Sequence, residues 1–207
     1  MSALFDATLR TMRQPMPSHL REVTPHPACA WFEGAFTPTL EARALSCVSA
    51  FGGATVPVLA RIANDVLRST LALRLLLLNG TDLDIVVARR HTAARYDCDD
   101  TFLLLDPQAR VAAVRYRMTP WKRLRDDPAT AFDWWAQLAA AGDPIDDAFA
   151  AWPETRPLVR LGRVELAPAS VDHAETFCPH RLPCGIECVK AAAPSESTEA
   201  ALTRSHP

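Results

Sequence analysis

Apolar positions at helical spacing open the ordered part of the chain. Thr37 is placed to cap a helix with Pro38 at its first position, and Leu40, Ala44, Leu45, Val48 and Phe51 fall on one face before Gly52 and Gly53 end it. Thr55 begins a second run, in which Val58, Leu59, Ile62, Val66, Leu67 and Thr70 keep the helical period while Arg61, Asp65 and Arg68 lie off the stripe. Two helices are therefore predicted, over 37–51 and from 55 into "LLLL". The end of the second has two readings. "LLLLNGTDLDIVVA" is a leucine-rich last turn stopped at Asn79-Gly80, or two strands around an Asn-Gly turn. Leucine favours the helix and the β-branched "DIVVA" a strand, so the switch is placed at the Asn-Gly pair.

From there to residue 117 the pattern is that of short strands. "LDIVVARR", "TAARYD", "TFLLLD" and "VAAVRYR" are separated by turn residues, with "DPQA" a type I turn between the last two. Asp127-Pro128 and Asp143-Pro144 then supply an N-cap acceptor followed by proline, predicting two further helices, with Phe132, Trp135, Leu138 and Ala139 as one apolar face and Ile145, Ala148, Phe149 and Trp152 as the other. "PLVRLGRVELAP" at 157–168 reads as a last strand, bulged at Gly162.

The resulting expectation is an α+β fold: N-terminal helices, a small antiparallel sheet of about four or five strands, two helices packed on it, and a cysteine-rich C-terminal loop. Residues 1–36 form a proline-rich lead-in with a short helix at 2–13, 37–168 the core domain, 169–190 a Cys/His-rich appendage and 191–207 a disordered tail.

Composition narrows the setting. The 207 residues are 49% hydrophobic and 22% charged, enough for a real core, and a formal charge of -2 gives no global attraction to nucleic acid or to an anionic membrane. Only Lys122 and Lys190 among the 22 basic residues are lysines, as GC-rich bacterial coding would produce. No secretory signal is legible in the first twenty residues and "LRLLLLNG" is too short to span a bilayer, so a cytoplasmic protein without membrane association is expected. In a reducing compartment the six cysteines are not read as three disulfides; Cys29 and Cys47 read as small buried hydrophobes.

Two stretches carry candidate chemistry. "FCPHRLPCGIEC" at 177–188 offers Cys178, His180, Cys184 and Cys188, with His173 just upstream, as ligands for zinc or an iron–sulfur cluster. Cys184 and Cys188 are spaced as one ligand pair and Gly185 permits the tight turn between them, but a second separated pair is missing. Cys178 with Cys184 could instead be a redox couple, and idle thiols on a loop are the bland alternative. "RVAAVRYRMTPWKRLR" at 110–125 holds six basic residues and no acidic one. Arg115 and Arg117 alternate with Val114 and Tyr116 so that both guanidinium groups share one strand face, followed by Trp121, Arg123 and Arg125. Such a strip suits an acidic or extended peptide, or phosphates with Tyr116 or Trp121 stacking on a base; a solvated face answered by Asp126 and Asp127 is the plain alternative. "YDCDD" at 96–100 reads as a turn before a metal site, and His26 with Cys29 carries little weight. Of Phe132, Trp134 and Trp135, one tryptophan is expected to point outward.

Phosphate-loop, dinucleotide, nucleophile-elbow and H-E-x-x-H signatures are all missing, which argues against the enzyme classes they mark. The expectation is a non-catalytic accessory or adaptor subunit that binds a partner protein or peptide through the basic strip and a sheet edge, presenting it to a partner enzyme. A zinc or iron–sulfur protein on the cysteine cluster is the first alternative. A nucleic-acid-binding protein is the second.

Overall fold

Along most of the chain, strand alternation prevails over the helical period. The computed structural model describes residues 29–64, 69–78, 81–90, 94–121, 130–148 and 150–189. Its strands are β1 (Cys29–Pro38), β2 (Val56–Asn64), β3 (Ser69–Leu75), β4 (Leu83–Arg90), β5 (Arg95–Asp97), β6 (Phe102–Leu105), β7 (Val111–Pro120), β8 (Thr130–Leu138), β9 (Leu158–Pro168) and β10 (Ile186–Cys188). Going round in the order β7-β5-β4-β3-β2-β1-β9-β8, eight of them close into an antiparallel barrel when β8 pairs back onto β7. β6 continues the same edge of β7 beyond β5, and β10 adds to β6.

The α+β expectation is thereby corrected to an almost entirely β architecture, and each helix predicted from Thr37 onward fails for a physical reason; the short helix expected at 2–13 and the tail at 191–207 lie outside the described residues. Thr37 and Pro38 end β1, and the chain then makes only the six-residue helix α1 (Leu40–Leu45), capped by Thr39, whose hydroxyl accepts from the Ala42 amide at 3.2 Å, and a 3-10 turn at Ser49–Phe51. The second predicted helix is the β2–β3 hairpin. There Val56, Val58 and Ala60 face the barrel, but the outward Leu59 and Arg61 are buried too, so apolar residues occur on both faces and the period-2 signal is blurred. Of the two readings of "LLLLNGTDLDIVVA", the structure shows the hairpin, with Leu75 opposite Leu83.

β8 replaces the third predicted helix. Phe132, Trp134 and Ala136 alternate into the core, a pleat that aromatic side chains fill well, while Asp127-Pro128 lies outside the described residues. In place of the fourth, residues 143–148 and 150–156 run as turns and irregular backbone, Phe149 lying outside the described residues. Asp143 does not start a helix; its carboxylate accepts from the Ala140 amide and holds Arg156 through two bonds of 2.8 Å. The strand runs read within 83–117 do form β4 to β7, and the strand expected at 157–168 is β9, where Leu161 is the extra residue of a bulge beside Gly162.

The barrel interior is filled by side chains, as eight strands permit. Phe36, Phe51, Tyr116 and Trp134 are fully or almost fully buried and meet edge-on, with Phe102 stacked on Tyr116 at 4.7 Å between centroids. Two glycines let β1 lie close to β9: a Cβ on Gly34 would sit 1.9 Å from the Glu165 carbonyl oxygen, and one on Gly162 would sit 2.4 Å from both the Phe36 ring and the Thr37 carbonyl oxygen.

Two segments cover the outside of the barrel. Residues 169–188 cross β1 to β4, seating Phe177 against Trp31, Leu59 and Ala72. That segment is tied down by a buried ion pair, Arg74 to Asp84 at 2.7 and 2.8 Å, because Arg74 also donates to the Thr176 carbonyl and Asp84 accepts from the Cys178 amide. Residues 139–157 cover the outer face of β7 and β8. Among the described residues, no helix is long and apolar enough to cross a membrane.

Candidate functional site

The β7 pleat sends Val114, Tyr116 and Met118 inward, which leaves Arg115 and Arg117 side by side on the outer face, as alternation requires. That face is covered. Arg115 is 8% exposed and gives its terminal nitrogens to the overlying segment, Nη1 to the Ala150 carbonyl at 2.6 Å and Nη2 to the Asp147 carbonyl at 2.7 Å, and its Nε to the Thr101 hydroxyl before β6 at 3.0 Å. Its guanidinium lies 4.5 Å from the centre of the Trp152 ring, whose indole N–H donates to the Pro144 carbonyl. Burial pulls the Arg115 guanidinium below its ordinary pKa.

Arg117 belongs to an ion network one step along the strand. Its Nε donates to Asp97 Oδ1 at 3.2 Å and its Nη1 to Glu154 Oε2 at 3.2 Å. Arg95 on β5 closes the same arrangement, giving its Nε to Asp97 Oδ2 at 2.9 Å and both terminal nitrogens to the Glu154 carboxylate at 2.7 and 3.1 Å. Arg90 pairs with Asp97 and Asp99 at the rim. The bonds to Arg95 hold the Glu154 carboxyl below its usual range, and Glu154 in turn raises Arg95. Together with Gln137 and Trp152 these groups line a cleft of about 250 Å³ between the barrel wall and the covering segment. Within it, planar, fork-shaped guanidinium donors hold the carboxylates of Asp97 and Glu154.

The remaining residues of the expected strip lie elsewhere. The Tyr116 ring is in the barrel core, where burial raises its hydroxyl well above the ordinary value, so it offers no stacking surface outside. Trp121 is exposed, with the Arg163 guanidinium 4.3 Å from its ring centre. Arg123, Arg125, Asp126 and Asp127 lie outside the described residues. The counter-charges for Arg117 come from Asp97 and Glu154. Trp135 is the outward tryptophan, donating to the Thr119 hydroxyl at 3.1 Å.

The cysteine stretch is spread out. Cys188 sits on β10 opposite Phe102, Cys184 is exposed in the turn before it, and the Cys178 amide is bound to Asp84. His180 is exposed, and His173 packs on Trp31 with Nε2 3.0 Å from Glu33. Among the described residues no three of His, Cys, Asp and Glu gather as a metal would need. Cys47, expected in the core, is exposed and lies 3.2 Å from the Leu105 carbonyl; the buried thiol is Cys98, which burial raises well above its usual pKa. His26 is outside the described residues.

Sequence reasoning missed Arg90, Arg95 and Glu154. The "RYD" of β5 did carry a signal, since Arg95 and Asp97 two apart on a strand share a face, and "YDCDD" supplies carboxylates for arginines. Glu154 carried none, because its pairing depends on how residues 139–157 fold back.

No family model and no curated protein matches the chain. Solved structures do. A fungal catalase superposes with a TM-score of 0.65 at 12% identity over 92% of this chain and 58% of its own. Catalase A from Saccharomyces cerevisiae gives 0.65 at 12% over 89% and 59%, and a bacterial catalase 0.58 at 13% over 89% and 56%. At such identities the likeness is one of fold, and the chain spans less than two thirds of the catalases it matches.

Proposed function

We propose that this chain is a non-catalytic accessory subunit whose barrel wall binds an acidic, extended segment of a partner protein at the arginine-lined cleft. One observation carries the reading: the cleft already holds backbone carbonyls and a carboxylate of the same chain, presented by a turn-rich segment. Backbone carbonyls of Asp147 and Ala150 meet Arg115, and the Glu154 carboxylate meets Arg95 and Arg117. A partner segment needs only a carboxylate at the Glu154 position to be recognised by the same arginines. The test is fluorescence anisotropy with labelled hexaglutamate at low salt. Wild type should bind, and Arg95→Gln with Arg117→Gln, shown by circular dichroism to be folded, should lose at least tenfold in affinity, because both partners of the carboxylate are gone. Equal binding by the double variant, or none by wild type, sinks the reading.

A second reading, a haem protein acting on peroxide, is favoured by the likeness to catalases. A catalase haem iron is held by a tyrosine. This chain has two, and Tyr96 and Tyr116 are 8% and 1% exposed, their rings packed on Phe132, Phe102 and Trp134 inside the barrel. Neither can give its oxygen to a haem outside the barrel wall without unpacking the core, so these residues do not fit a tyrosine-ligated haem. Titration with hemin should give no stoichiometric sharp Soret band. A one-to-one complex whose spectrum survives Tyr96→Phe and Tyr116→Phe would replace the accessory reading with haem bound through another ligand.

A further inference from the structure

We infer that Glu154 is a built-in stand-in for the partner's carboxylate, and that the cleft is regulated by its displacement; this rests on the accessory reading above. The arrangement divides into a fixed wall and a replaceable plug. Asp97, whose side chain is 14% exposed, lies on the wall behind Arg95 and Arg117 and orients both through their Nε atoms. That leaves Nη1 and Nη2 of Arg95 and Nη1 of Arg117 aimed at one point, and the group at that point is Glu154. Glu154 comes from a turn in the covering segment and its side chain is 63% exposed, so water reaches the pair and a competing carboxylate can approach. Exposed ion pairs of this kind hold weakly. Arg115, by contrast, is buried, and its bonds to the Ala150 and Asp147 carbonyls keep the covering segment on the wall when Glu154 leaves.

Being tethered, Glu154 competes at an effective concentration in the millimolar range, which lowers the apparent affinity of any external carboxylate. The occupant to which the site is matched is an Asp or Glu side chain of an extended partner segment, since three guanidinium nitrogens of Arg95 and Arg117 converge on the place of one carboxylate.

The experiment measures labelled hexaglutamate binding to wild type, Glu154→Ala, Glu41→Ala and the Arg95→Gln, Arg117→Gln pair, each checked for folding by circular dichroism. Glu41 is exposed on α1, so Glu41→Ala matches the change in net charge away from the cleft. Glu154→Ala should bind about two- to fivefold more tightly than wild type, as loss of a tethered competitor held by a weak exposed pair requires, with Glu41→Ala unchanged. If wild type binds through the arginines and Glu154→Ala binds no better, the stand-in role is overturned while the cleft reading survives. If neither wild type nor Glu154→Ala binds, both fall.

Discussion

A buried donor without a partner costs more than a solvated one, and among the described residues the aromatic core has two such groups, the Tyr116 hydroxyl and the Trp134 indole N–H, fully buried and unpaired at its centre. Tyr116→Phe removes one of them at nearly constant volume and should raise unfolding stability by about 1 kcal/mol in urea denaturation; a loss of stability would show that the hydroxyl is bonded. Asp84 is the opposite case. With no exposure and a bidentate arginine partner, Asp84→Ala strands the Arg74 charge and should cost about 3–5 kcal/mol. It also removes the acceptor of the Cys178 amide, so trypsin should cut at Arg181 faster in the variant than the loss of global stability alone accounts for. Much of this scale was legible: Arg115 and Arg117 sharing a strand face follows from pleat geometry alone. Their cover does not, since burial of a charged strip depends on a segment some thirty positions away in the chain.

Among the elements, strands whose two faces differ in chemistry were readable and those apolar on both were not. In β7 the apolar Val114, Tyr116 and Met118 alternate with Arg115 and Arg117, so it is recognised as a strand although both faces are buried. β2 and β3 are covered inside by the barrel core and outside by residues 169–188, so their apolar residues match a helical stripe by accident, and β8 was masked by alanines and by an Asp-Pro signal that opens no helix among the described residues. The covering segment 139–157 contributes to the pH dependence. Arg156 and the Ala140 amide hold the Asp143 carboxyl below its ordinary value, and Arg95 does the same for Glu154. Groups depressed in the folded state contribute stability that is complete above the unfolded pKa of about 4 and is lost as pH falls through their folded values. Thermal melts between pH 7 and 2.5 should therefore fall in acid, and Asp143→Asn with Glu154→Gln should flatten that fall; an unchanged slope would place the acid sensitivity elsewhere.

At the scale of the molecule, closure is what local sequence patterns could not announce. β1 pairs with β2 on one side and with β9 on the other, placing Phe36 opposite Val164, and the ring is completed only when β8 meets both β9 and β7. Nothing in the run of residues near Phe36 marks a partner so distant; only Gly34 and Gly162, whose missing Cβ atoms permit the approach, hint at a close contact. The same topology makes a kinetic prediction. Hairpins such as β3–β4 form through local contacts, but β1–β9 pairing pays the loop-closure cost of most of the chain before it gains any packing. Refolding after dilution from urea should thus take milliseconds to seconds, as for other non-local β folds. Gly162→Ala, which forces a Cβ onto the Phe36 ring and the Thr37 carbonyl, should destabilise by about 1–3 kcal/mol. If β1–β9 closure comes after the rate-limiting step, that loss appears as faster unfolding with little change in the folding rate. A folding limb slowed by the full loss would instead put this seam in the nucleus, and stopped-flow tryptophan fluorescence, reporting Trp134 between the strands, separates the two.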